Sequence, residues 1–153
     1  MKVLAITLHQ PWASLLANGQ KVYETRAWET EYRGIIAVHA GKNEDSLDLR
    51  DQEPFWNALK DEPFPLPMGS IVGLVILTDC ISTNERVSLG LDEPEASFGD
   101  FSADRFAWRM GAAVKLEAPI PTRGYQKLWE WEVPAEHEAT ILAAIEKLQV
   151  QCG

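Results

Sequence analysis

The sequence predicts an α+β fold, a small sheet with flanking helices, and three observations carry that expectation. Branched and aromatic residues collect into short runs of strand length at Val3 to Leu8, Ile35 to Ala40, Ile71 to Leu77 and Arg105 to Ala118. Two other stretches, one near each end, space their apolar residues at helical intervals. Between them, Glu62 to Gly69 (EPFPLPMG) carries three prolines and reads as an extended connector within one domain rather than a linker between two. A chain of 153 residues, 46% hydrophobic and 24% charged, is long enough for one domain over residues 1–153 with a core of its own.

In order along the chain, Met1 to Leu8 alternates loosely and is expected as a strand buried on at least one face, delivering His9 and Gln10 to a helix start. Pro11 suits a first helical turn, where its missing N–H costs nothing. Trp12, Leu15 and Leu16 then fall at i, i+3 and i+4, and Gly19 can take the left-handed position after the last turn. Pro11 to Asn18 is therefore expected as a short, buried, amphipathic helix. Beyond Gln20, Lys21, Glu24 and Arg26 arrive within six positions amid Val22, Tyr23 and Thr25, whose types favour a strand. A strand from Val22 puts Glu24 and Arg26 on one face, with Lys21 at its mouth. An ammonium, a carboxylate and a guanidinium would then face one cleft, a set suited to a polar ligand. On periodicity alone the plainer alternative is a solvated surface ion-pair network.

Arg33-Gly34 reads as a turn into the core strand Ile35 to Ala40, on which His39 shares a side with Ile35 and Ala37. Two short helical pieces are expected after it, one near Asp45 to Gln52 and one opened by Pro54 with Phe55, Trp56 and Leu59 facing the core. Ile71 to Leu77 is apolar on both alternating faces, marking a central strand covered on both sides, with Thr78-Asp79-Cys80 as its polar exit. Ser82 to Asp104 has few large apolar residues and is expected as a long loop or flap. Arg105 to Ala118 alternates cleanly as a half-buried strand. Its polar side, with Arg109, offers either a nucleic-acid surface or a merely solvated face. Tyr125, Trp129 and Trp131 offer either stacking platforms or core, and two of Leu128, Trp129 and Trp131 are expected inside. Pro134 opens a last helix whose Ile141, Leu142, Ile145 and Leu148 form one apolar stripe for docking on the sheet.

Charge narrows the function classes. A formal net charge of −9 argues against non-specific coating of phosphate backbones, which draws its affinity from many Lys and Arg contacts. The sign is uneven, however. Arg105 to Lys127 carries five basic residues and one acid, net +4, whereas Ser82 to Asp104 carries six acids and one arginine, net −5. Cys80 and Cys152 lie far apart with no repeated spacing, so a disulfide framework or cysteine zinc site is not indicated and a cytoplasmic setting is expected. No membrane association is expected, since no run of 18 apolar residues occurs. His9, His39 and His137 are widely separated and there is no phosphate-binding glycine loop, so neither a metal nor a cofactor is expected.

The run Leu8 to Trp28, LHQPWASLLANGQKVYETRAW, resembles the ASCH (activating signal cointegrator homology) domain of the PUA-like superfamily. In these residues it is most similar to the ASCH domain of the eukaryotic transcriptional coactivator after which the family is named. The family's G-x-K-x-x-E-x-R signature stands complete as Gly19, Lys21, Glu24 and Arg26, and PIPTRGYQKLWEWEVP is similar to its closing strand. The resemblance implies a small PUA-like mixed β-barrel with a cleft helix, a docking helix, and a cleft for RNA or a modified nucleobase. It also keeps His39 as a cleft candidate beside Lys21, Glu24, Arg26, Arg109 and Tyr125, and a protein partner is compatible with it. Some small bacterial relatives are amidohydrolases acting on acetylated cytidine, with a lysine matching Lys21, a threonine and a glutamate; others are proposed to cleave RNA. Here the position of that threonine is held by Glu24, and Thr25 alternates to the other face, so binding is expected over hydrolysis.

Overall fold

The computed structural model describes residues 1–152. Strand β1 (Lys2–Leu8) runs parallel to β3 (Gly34–Ala40), with Thr7 opposite His39. All other pairings are antiparallel: β4 (Ser70–Ser82) lies between β3 and β5 (Phe106–Pro121), β5 carries β2 (Tyr23–Arg26) at one edge, and β1 carries β6 (Leu128–Glu132) at the other. The spatial order is thus β2-β5-β4-β3-β1-β6. The two longest strands, β4 and β5, slip register at three places along their shared ladder. Such bulges bend a strand and increase its twist, so the sheet curls into a half-barrel whose edges β2 and β6 stay unpaired with each other.

Both faces of the sheet are covered, as the alternation of its residues requires. Val3, Ala5, Ala37, Ile71 and Leu74 point to one side, where Ile141, Ala144 and Leu148 of α5 (Glu138–Cys152) pack on them. Ile6, Leu8, Ile36, Val38, Val72 and Val75 point to the other, against Ala13, Leu16 and Ala17 of α1 (Trp12–Ala17). Each fully buried aliphatic side chain stabilises by roughly 1.5–3 kcal/mol relative to exposure, so this double layer is the main source of stability.

Several expectations change. The central strand does not exit at Thr78-Asp79-Cys80 but continues to Ser82, because β5 supplies hydrogen-bond partners as far as Phe106 and the outward residues tolerate water. The interval 82–104 is not a bare loop: α3 (Thr83–Ser88) is capped by the Ser82 hydroxyl, and α4 (Glu95–Phe98) follows. Phe98 is fully buried with Leu15, Phe55 and Leu59, which ties that interval to α1 and α2 (Phe55–Leu59). Trp56 is 45% exposed and Leu142 is 56% exposed, so neither faces the core as its spacing suggested. On short or edge-docked helices the apolar stripe is narrower than the apolar residues available to fill it. Trp129 and Trp131 are both core. Among the described residues no helix is long and apolar enough to cross a membrane.

Candidate functional site

The site is assembled at the seam of the half-barrel, where β1 and β2 approach from opposite ends of the sheet. The entry to α1 is fixed by Gln10, which is fully buried. Its amide nitrogen donates to Ser14 Oγ and to Pro67 O at 2.8 Å each, and its oxygen accepts from the Ser14 backbone N–H at 3.0 Å. At the far end, Gly19 takes φ +80°, a conformation that strains any residue with a Cβ. The chain then doubles back so that the Lys21 N–H bonds to Leu15 O.

That reversal buries Lys21, whose side chain is 1% exposed. The ammonium donates to the backbone carbonyl of Tyr23 and to Glu24 Oε1. The other carboxylate oxygen, Oε2, lies 2.9 Å from Arg26 Nη2. Burial pushes the Glu24 carboxyl upward, but the Lys21 ammonium and the Arg26 guanidinium outweigh it and hold the group below the ordinary carboxylate range. The three charges therefore form a sunken network, not a surface one. Arg26 Nη2 also donates to Thr7 O at 3.1 Å, bridging β2 to β1 across the seam. Its Nε is buried with no hydrogen-bond partner.

Two cavities open on either side of that bridge and share Thr7, His9 and Arg26. The first, about 480 Å³, is also lined by Trp12, Glu24, Thr25, Phe98, Asp100 and Arg105. The second, about 1120 Å³, lies over β3 and the β5–β6 connection. The first falls within the span of small-molecule sites and the second just beyond it, roughly 300–1,000 Å³ being usual. Arg105 and Asp100 belong to the loop that straps down β2. Glu95 accepts the backbone N–H groups of Val22 and Tyr23 at 2.8 and 3.0 Å, and the Asp100 N–H donates to Thr25 Oγ1 at 3.2 Å. Hydrogen bonds from the Ser102 hydroxyl and N–H hold the Asp100 carboxyl below its ordinary range.

The second cavity is backed by a polar chain that has a single self-consistent assignment. The Trp129 indole N–H can only donate, so it donates to Thr7 Oγ1 (3.2 Å). The Thr7 hydroxyl then donates to His39 Nδ1 (3.2 Å), and the Nε2–H of His39 donates to Thr122 O (2.7 Å). Burial pushes the imidazole's proton affinity down, the bond to Thr122 opposes it, and the net direction is below the ordinary value, in keeping with a neutral ring. A Cβ on Gly124 would lie 2.5 Å from His39 Cε1 and 2.7 Å from Thr7 Oγ1, so only glycine lets the connection close over this chain.

Of the residues singled out in the sequence, Glu24, Thr25 and Arg26 line the first cavity, while Arg26, His39 and Tyr125 line the second. Lys21 lies beneath both, and Arg109 borders neither: its guanidinium donates to Thr78 Oγ1 on the exposed side of β5. Thr25 and Lys21 make no hydrogen bond to each other among the described residues. Sequence reasoning missed Trp12, Trp28, Lys42, Asp100, Arg105, Arg123 and Lys127 as lining residues. For Arg123 and Lys127 the net positive charge of 105–127 was the available signal. Among the described residues no three His, Cys, Asp or Glu side chains gather as a metal-binding group.

The ASCH domain family model matches residues 6–142. Over 130 residues, 82% of the chain, the sequence is 30% identical to activating signal cointegrator 1 of Mus musculus and 29% identical to that of Homo sapiens. The match covers 22% of the length of each of those relatives. Among solved structures, the ASCH protein of Zymomonas mobilis superposes with a TM-score of 0.52 at 13% identity, covering 92% of this chain and 93% of the other. A tyrosine-to-phenylalanine mutant of that protein gives 0.54 at 14% identity, covering 94% and 98%. At that identity the likeness speaks for the fold.

Proposed function

The chain belongs to the ASCH domain family, which is generally linked to RNA binding, and on that premise we propose that it is an RNA-binding module holding a single-stranded or modified base in the cleft at Arg26. One observation carries the reading: the Arg26 guanidinium lines both cavities with Nη2 engaged by Thr7 and Glu24, Nε unpartnered, and Nη1 without a protein hydrogen bond among the described residues. A fork so held is pre-oriented toward a base carbonyl or a phosphate oxygen. Glu24 keeps lone pairs free beside its two cationic partners and accepts a base amine. Lys21 positions Glu24 from below and does not itself reach the ligand. Trp12 at the first cavity and Tyr125 at the second supply faces for stacking, the mode by which unpaired bases are generally held.

The amidohydrolase alternative needs a hydroxyl nucleophile next to its base. Thr25 Oγ1 accepts from Asp100 and Lys21 is engaged by Tyr23 and Glu24, so the geometry favours binding.

Fluorescence anisotropy of single-stranded RNA, duplex RNA and duplex DNA at two salt concentrations tests the reading. The expected result is preference for the single strand, weakened about tenfold or more by Arg26→Ala through loss of a charge-assisted hydrogen bond. RNA left intact afterwards argues for a module over a nuclease. Equal affinity for all three polymers, or no effect of the variant, contradicts it.

A further inference from the structure

The two cavities differ in charge in a way that the base-binding reading does not use. In the first, two carboxylates (Glu24, Asp100) face two guanidiniums (Arg26, Arg105), a balanced set of acceptors and donors. In the second, Arg26, Lys42, Arg123 and Lys127 stand among the lining residues without a single Asp or Glu. A protein of net charge −9 that gathers four cations and excludes every acid from one concave surface has a local anion site there. Nothing in the fold neutralises those groups: none of the four but Arg26 has an ion-pair partner among the described residues.

The aromatic surroundings specify the anion further. The Arg123 guanidinium lies 5.1 Å from the centroid of the Tyr125 ring, which is 53% exposed and stands edge-on to Trp129 at 5.3 Å. Trp129 is in turn held by Thr7, so Tyr125 is a braced ring beside a cation rather than a loose surface aromatic. Trp28 lines the same cavity and packs edge-on against Trp108 at 4.7 Å. Lys127 is also one of two non-glycine residues with positive φ, at 58°. An L-residue costs about 1–2 kcal/mol more than glycine in that conformation, so the lysine side chain is kept where the backbone alone would favour its absence.

Resting on the base-binding reading above, we infer that the ligand is a phosphate-bearing single strand of at least two nucleotides that spans both cavities, not a free nucleoside. One base occupies the balanced first cavity, and the linking phosphate passes Arg26 and His9, the charged and titratable residues the cavities share. The next nucleotide stacks in the second cavity, its phosphate against Arg123 and Lys127. Charge and aromatic faces combined in one groove are the physical requirement for tracking a single strand.

The test titrates the four ribonucleosides, their 5′-monophosphates, the corresponding dinucleotides and a single-stranded RNA octamer into the full chain. The variants are Arg26→Ala, Arg123→Ala/Lys127→Ala, and Lys115→Ala as a control cation paired with Glu62 away from the groove. Dinucleotides are expected to bind roughly tenfold or more tightly than nucleosides, the gain of one charge-assisted phosphate contact. The double variant should remove that gain, leave nucleoside affinity in place, and flatten the octamer's salt dependence by about 1.4 in log–log slope, roughly 0.7 per phosphate lost. Lys115→Ala should change none of these. Nucleosides binding as tightly as dinucleotides, or octamer binding that needs Arg26 but ignores Arg123 and Lys127, overturns the two-nucleotide inference alone. Octamer binding indifferent to Arg26 overturns the base-cleft reading and the inference with it.

Discussion

Lys21 and Glu24 form a 2.9 Å ion pair at the base of the cleft, with the lysine side chain 1% and the glutamate side chain 11% exposed. Two charges withdrawn this far from water are maintained only by each other, by Arg26 and by the Tyr23 carbonyl. The pair links the fold to the site, because it sets the height at which Arg26 meets the cavities.

Removing one partner leaves the other buried and uncompensated. Lys21→Ala should therefore cost about 3–5 kcal/mol of stability, read from urea denaturation. The paired replacement Lys21→Met/Glu24→Gln should cost less, because it strands no charge. A Lys21→Ala loss within about 0.5 kcal/mol, the range of ordinary surface substitutions, would show the pair to be solvated after all.

The same network sets an acid dependence. The Glu24 carboxyl is held below its ordinary value of 4.5 in the folded chain, so the unfolded chain takes up this proton first as pH falls. The contribution is fully present at neutral pH, begins to decline near 4.5, and is lost as pH falls through the lower folded value. Between about pH 7 and pH 3, wild type should lose more stability than Glu24→Gln, other carboxylates being common to both. Parallel curves would contradict this.

His39 should be neutral, with its proton on Nε2, at its ordinary value of 6.5. Its folded value lies below the ordinary 6.5, so its protonation favours unfolding and the associated stability declines as pH drops below that value. Nitrogen-15 shifts of the ring across a pH titration read both tautomer and midpoint. A midpoint at or above 6.5 would contradict the assigned hydrogen-bond chain.

Gly124→Ala pushes a methyl group to 2.5 Å from His39 Cε1, and His39 is pinned at both nitrogens. The expected cost is about 1–3 kcal/mol, as for overpacking in a filled interior, together with reduced RNA affinity. Thermal denaturation and anisotropy on one preparation measure the two.

Glu95→Gln weakens the strap over β2 by replacing a charged acceptor of two backbone N–H groups with a neutral one. Amide exchange at Val22, Tyr23 and 95–105 should accelerate, with the outer face of β4 unaffected. Unchanged exchange at those positions would show that Glu95 does not hold β2 in place.

Much of this arrangement was legible in the residues. Trp12, Leu15 and Leu16 with Gly19 gave the helix and its stop, and the short spacing of Lys21, Glu24 and Arg26 put three charges in reach of one another. Their depth was not legible, because charged residues are seldom buried and the Leu15 carbonyl that draws Lys21 inward is a tertiary partner. The continuation of β4 through Thr78-Asp79-Cys80 was hidden for the same kind of reason: β5, not local composition, keeps that segment extended. The second cavity was hidden by distance in sequence. Arg26, Lys42 and Arg123 to Lys127 meet only because β1 and β3 lie side by side with the β5–β6 connection folded over them.

Amide chemical-shift mapping of the nitrogen-15-labelled chain, during titration with a single-stranded RNA octamer, tests the seam site without disturbing a single side chain. Perturbations are expected to concentrate at Thr7 to Trp12, Glu24 to Trp28 and Thr122 to Lys127, saturating together. Perturbations confined to α5 or to the outward face of β5 around Arg109, with the seam at Arg26 silent, would contradict the base cleft.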